Sequence, residues 1–154
     1  MAVVVIGVGP HKGSHAAVAI GAAEEPLGEL RVRASAGQAQ RLLAWAAGWP
    51  ERAWAAGGAA GLGHLLAQQL LAAGERVADV QPRLGARVRL LAAGAVNKND
   101  PNDARPVAVA ALRCAPSGRW GPMITRRAEG VVQAPPGPGP HPHPGRVPAA
   151  CRAV

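Results

Sequence analysis

A chain of 154 residues with 49% hydrophobic content and a net charge of +8 is long enough for one domain with its own core. It carries no apolar run of membrane-spanning length and no basic leader before its short apolar start, and its two cysteines, Cys114 and Cys151, make neither a disulfide framework nor a zinc site, so a soluble cytoplasmic protein without a membrane partner is expected. Residues 1–113 hold 12 Lys/Arg against 8 Asp/Glu and residues 114–154 hold 5 against 1, which suits a polyanionic partner, although four Trp and no Phe or Tyr argue against base stacking as the main binding mode.

The predicted elements run as follows. Ala2 to Val8 (AVVVIGV) reads as a buried strand, short and β-branched, ended by Gly7-Val8-Gly9-Pro10. His15 to Gly21 is a second strand reached through a Gly-containing turn. Gly28 to Ser35 alternates Leu30, Val32 and Ala34 against Glu29, Arg31 and Arg33, the pattern of a half-exposed third strand. A helix over about 37–48 sets Leu42, Trp45, Ala46 and Trp49 on one side. Arg52 to Ala56 is a fourth strand ending in Gly57-Gly58. A helix over about 61–73 carries Leu62, Leu65, Leu66 and Leu70 and is closed by Gly74. Arg76 to Val80 is a fifth strand, and Pro82 to Leu91 and about 101–113 are two further helices. Three consecutive strands followed by alternating helices and strands predict an α/β fold, an antiparallel meander extended by two parallel strands through crossovers, with helices on both faces. That is the element order of an RNase H-like domain.

Within this order Asp100 and Asp103 stand out. Carboxylates at i and i+3 share one face of a helix, here in its first turn. Pro101 fits the first helical position and the acids complement the helix dipole. A well-capped helix start and a pair of metal ligands are both consistent with that spacing. His11 and His15, beside Lys12, read as surface turn residues more readily than as bases or ligands.

Three stretches carry a resemblance: Gly7-Val8-Gly9-Pro10-His11-Lys12-Gly13-Ser14-His15, Trp54-Ala55-Ala56-Gly57-Gly58-Ala59-Ala60-Gly61-Leu62-Gly63, and Lys98-Asn99-Asp100-Pro101-Asn102-Asp103-Ala104. Together, in this order, they resemble the DEDD-type transposases of the 110 family of insertion sequences, which have a RuvC-like N-terminal domain. The resemblance covers about residues 3–113. It implies a metal site of four acids, of which the third and fourth match Asp100 and Asp103. The first two match Gly9 and Gly57, so this chain keeps two of the four. Such enzymes cleave phosphodiesters with two divalent ions, and Mg²⁺ asks for an octahedral oxygen shell anchored by carboxylates. Mg²⁺ is therefore the cofactor that the resemblance implies, with weak or no binding and no strand cleavage expected here. DNA and a structured guide RNA are the partners that the resemblance implies, and it leaves an oligomer possible. Lys12, Arg83, Arg87, Arg89, Lys98 and Arg105 are the candidate nucleic-acid contacts, against the alternative of solvated helix faces.

After Arg113 the resemblance stops. Residues 114–154 form a Pro/Gly/Arg-rich tail without hydrophobic period, expected to be irregular and disordered. Read one base into the codon of Arg127, the tail permits a leucine- and charge-patterned string similar to the segment that follows the catalytic domain in this family. Frame slips between about residues 113 and 121 and near Arg127 are thus expected, as in a decayed copy lacking the later serine-nucleophile domain. The alternatives are an actin-like nucleotide-binding module, suggested by the Gly-containing hairpin turn at residues 7–14, and a translated remnant without function. The hairpin turn lacks Walker A spacing and leads into a strand, not a helix.

Overall fold

The computed structural model describes residues 3–59, 61–91, 100–114 and 151–153, with the backbone alone at 89, 91, 100–103 and 151–153. The elements in chain order are β1 (Val4–Pro10), β2 (Ser14–Ile20), β3 (Pro26–Arg33), α1 (Gln38–Ala46), β4 (Arg52–Gly57), α2 (His64–Ala72), β5 (Val77–Val80), α3 (Pro82–Leu91), α4 (Asp100–Cys114) and β6 (Cys151–Ala153). They form one sheet in the order β3-β2-β1-β4-β5-β6. β1 to β3 are an antiparallel meander, and β4 and β5 add parallel to β1. The predicted mixed sheet is the observed one. The difference lies in the tail, which supplies β6 as a short strand antiparallel to β5. No periodic pattern announces three residues at a sheet edge. Cys114 of the expected tail instead closes α4, and residues 115–150 and 154 lie outside the described ones.

Element boundaries move for local reasons. β1 runs through Gly9 to Pro10 because both still pair, with Ala16 and His15, and the chain reverses only at a tight turn in which the His11 amide donates to the Ser14 carbonyl at 2.9 Å. α2 starts at His64, after a turn closed by Gly61 N–H to the Gly58 carbonyl (2.9 Å) and His64 N–H to the Gly61 carbonyl (3.0 Å). Its end is as expected: Gly74 adopts φ +85°, and the amides of Gly74 and Glu75 bond back to Leu71 and Leu70 at 3.0 Å, satisfying carbonyls the helix leaves open.

Side chains alternate across the sheet, so it has two cores. One face buries Ile6, Val8, Ala17, Ala19, Val32 and Trp54 against Leu42 and Ala46 of α1 and Leu66, Ala67 and Leu70 of α2. The other buries Val5, Ala16, Val18, Ile20, Ala55 and Val80 against Ala104, Val107, Ala108 and Ala111 of α4, with Leu84 and Val88 of α3 alongside. Helices therefore cover both faces, as predicted. Trp54 is fully buried, and its indole N–H donates to Glu75 at 2.7 Å. Glu75 also takes the Arg52 guanidinium fork, Nε at 3.0 Å and Nη2 at 2.5 Å. Arg52 Nη1 then donates to the carbonyls of Ala46 and Trp49 at the end of α1. One ion pair thus joins β4, the α2–β5 connection and the end of α1 at the N-terminal end of β4.

α4 lies unusually close to β1. A Cβ built on Gly7 would overlap the Ala104 carbonyl oxygen and stand 2.6 Å from the Ala108 amide nitrogen. Glycine on the strand and alanines one turn apart on the helix let the two backbones meet. Pro106 sits inside α4, where it lacks the amide that would bond back one turn. Cys114, the last residue of α4, is disulfide-bonded, a link that the cysteine spacing does not foresee. Among the described residues no helix is long and apolar enough to cross a membrane.

Candidate metal and nucleic-acid site

Gly9 and Gly57 each follow the cross-strand pair Val8–Ala56 at the C-terminal ends of two adjacent parallel strands. Gly9 has the parity of Val5 and Gly7, and Gly57 has the parity of Ala55, so both positions belong to the sheet face that carries α4. A Cβ on Gly57 would lie 3.0 Å from Val107 Cγ2, 3.5 Å from the Val8 carbonyl oxygen and 3.9 Å from Pro10 Cδ. The contact with Val107 places α4 directly against this corner, and Ala104 meets Gly7 two residues before Gly9. The backbone of Asp100 and Asp103 forms the first turn of that helix, immediately before Ala104. Two strand ends and one helix start therefore converge.

The loop after β4 is held rigidly. Gly58 adopts φ +67°, a left-handed conformation that a Cβ would disfavour. Its amide donates to the Val80 carbonyl at 3.2 Å, and the Ala59 amide donates to Asp79 Oδ1 at 2.9 Å. Asp79 alternates with Val80 of the α4 face, so it serves the turn from the opposite face.

Glycine contributes no side-chain donor at either strand end. Two carboxylates on one helical turn cannot set the spacing of two octahedral ions or balance their charge. The donor set does not fit a two-ion centre, and no step is derived through one. Among the described residues, no group of three His, Cys, Asp or Glu could hold a metal ion.

The predicted cations are distributed over several elements. Lys12 is exposed on the β1–β2 hairpin, Arg83 and Arg87 are exposed on α3, and Arg105 is exposed on α4. Arg105 Nη2 donates to the Glu24 carbonyl at 3.3 Å, in the β2–β3 turn, at the sheet end away from Gly9. Glu24 also binds Arg113 at 2.7 and 3.0 Å, and hydrogen bonding from Arg113 holds its carboxyl below the usual carboxylate range. For Arg89 only the backbone is described, and Lys98 lies outside the described residues.

The reading of His15 as a surface residue is corrected. It is 3% exposed, with Nε2 2.9 Å from Gln38 Oε1. Gln38 Nε2 donates to Gln69 Oε1 at 2.9 Å, and Gln69 Nε2 donates to the Ala36 carbonyl at 3.2 Å. With its amide orientation set by Gln69, Gln38 accepts, so Nε2 of His15 carries the proton and Nδ1 is left buried without a partner. Burial pushes the His15 pKa down; the Gln38 bond opposes this and nearby His11 adds to it. This chain of polar side chains ties β2 to α1 and α2, on the face opposite α4. Sequence reasoning missed it because a histidine near a turn gives no sign of which sheet face it will take.

A family model described as Transposase, for the DEDD transposases of the 110 family of insertion sequences, matches residues 6–118. No curated protein matches the chain. Among solved structures, RuvC from Thermus thermophilus superposes with a TM-score of 0.51 at 15% identity, over 70% of this chain and 92% of that one. At that identity the likeness is one of fold.

Proposed function

Because the chain belongs to the DEDD transposases of the 110 family of insertion sequences, we propose that residues 1–113 are the RuvC-like catalytic domain of such a transposase, able to bind DNA but not to cut it. The observation that carries this reading is the corner where Gly9 and Gly57 end adjacent strands beside the first turn of α4. Asp100 and Asp103 are the retained acids at this site. They hold at most one divalent ion, weakly, because the strand ends offer nothing opposite them. Residues 114–154 are a Pro/Gly/Arg-rich segment whose frame has slipped, with Cys114 closing α4 and residues 151–153 pairing with β5. DNA is the substrate class, and a structured guide RNA is the partner by kinship. Lys12, Arg83, Arg87, Arg89, Lys98 and Arg105 supply general phosphate attraction, which is salt-sensitive.

Calorimetric titration with Mg²⁺ and a nicking assay on supercoiled DNA test the proposal. The natural chain is expected to bind Mg²⁺ too weakly to measure and to leave the DNA intact. The double variant Gly9→Asp/Gly57→Glu is expected to recover Mg²⁺ binding. Val107 Cγ2, 3.0 Å from the new Cβ at position 57, is a side-chain methyl that can yield by a few tenths of an ångström. Mg²⁺-dependent nicking by the natural chain would overturn the reading.

A further inference from the structure

α4 does not cover the whole of its sheet face. It packs on β1 and β2, where Ala16, Val18 and Ile20 are buried. On β3, Leu30 and Val32 belong to the opposite core, so Glu29, Arg31 and Arg33 project on the α4 side, and all three are exposed. The register places two of them near the strand-end corner. Gly9 pairs with Ala16, and Ala16 pairs with Arg31. Gly9, Ala16 and Arg31 therefore form one cross-strand row on one face, with Arg31 roughly 10 Å from Gly9 at the backbone. Arg33 pairs with Ser14, one row nearer the hairpin tip, where Lys12 is exposed.

Arg31 is also oriented. Its Nε donates to Ser14 Oγ at 3.1 Å, which fixes the guanidinium plane. On β3 itself the acid is Glu29, opposite Val18 and farther from the hairpin tip. Glu24 lies beyond it and is engaged by Arg113. Arg31 and Arg33 are roughly 7 Å apart along the strand, about the span of two phosphate charges on one DNA strand.

We propose that Lys12, Arg31 and Arg33 form a phosphate-binding strip that holds the backbone of a DNA strand passing the corner at Gly9 and Gly57. The strip rests on the DNA-binding reading above and specifies where contact is made. It offers charge without aromatic platforms, so it grips the backbone and reads no bases. The competing explanation is that charges on an edge strand merely prevent edge-to-edge pairing.

Fluorescence anisotropy with a labelled DNA duplex, measured on the whole chain over a range of salt concentrations, distinguishes these. Lys12→Gln/Arg31→Gln/Arg33→Gln is expected to lower the slope of log affinity against log salt by about 2.7, at about 0.9 per phosphate contact. Arg83→Gln/Arg87→Gln is expected to lower it by less than one. Arg31→Lys in the natural background is expected to keep the slope. Should the triple variant fail to fold, Lys12→Gln alone, at an exposed turn, is expected to lower the slope by about one. An unchanged slope in whichever of the two variants folds overturns the strip, and self-association of the triple variant with unchanged DNA affinity assigns those charges to edge protection. If the natural chain binds no duplex, the DNA-binding reading itself fails, and the strip with it. Binding of a structured RNA hairpin but not of the duplex would overturn the assignment to DNA.

Discussion

Replacing Gly7 by alanine tests the contact that positions the whole corner. The new Cβ would overlap the Ala104 carbonyl and lie 2.6 Å from the Ala108 amide nitrogen and 2.7 Å from the Ala108 Cβ. Ordinary contacts of this kind begin near 3.4 Å, and two of the three atoms are backbone, so no side-chain rotation relieves them. α4 must lift from β1 by about 1 Å at the close-packed density typical of a core. Overpacking of this kind costs about 1–3 kcal/mol. The opposing effect, a stiffer unfolded chain, is worth about 0.4–1 kcal/mol and applies only where the native site accepts the methyl. Destabilisation wins, by about 2 kcal/mol, read as a lower urea midpoint at unchanged m-value. Adding Ala108→Gly is not expected to restore the midpoint, because it leaves the Ala104 oxygen and the Ala108 nitrogen in place. A Gly7→Ala chain as stable as the natural one would refute the close approach of α4, and with it the placement of the first turn of α4 beside Gly9.

Two further outcomes follow from the packing. His15 is held neutral by burial, its folded pKa lying below the unfolded value of about 6.5. The unfolded chain therefore binds the proton first. This contribution is complete above roughly pH 7 and is lost progressively as pH falls through 6.5 toward the folded pKa; a melting series should show that loss, and His15→Gln should flatten it. Glu75→Ala leaves the Arg52 fork and the Trp54 indole N–H without their acceptor. With both charged side chains largely buried, at 17% and 14% exposure, the cost is about 3 kcal/mol. Arg52→Ala in the Glu75→Ala background should then cost less than Arg52→Ala alone, and additive effects would show that the pair is not coupled.

The corner shows how much of the site the sequence discloses. The acids at 100 and 103 are legible because a first helical turn can be recognised from Pro101 and the spacing of its carboxylates. Matching Gly9 and Gly57 to acids of the family is possible only by comparison with a motif, since a glycine at a strand end otherwise reads as a turn. Arg31 and Arg33 were visible as the polar half of an alternating strand. Their place in the row of Gly9 was not, because register between strands is set by pairing across the hairpin. Charge alone does not group the predicted cations: Lys12 stands in the β1–β2 turn, Arg83 and Arg87 on α3, and Arg105 on α4.

Period and punctuation in the sequence were enough to determine β1 to β5, the four helices and their order, because alternation, helical spacing and glycine stops act over a few residues. Tertiary structure decided which face each strand turns to which helix. It buried a histidine that looked like a turn residue. It pressed α4 onto β1 through Gly7, and it added β6 beside β5. These outcomes depend on contacts between residues far apart in the chain, and no local pattern encodes such contacts.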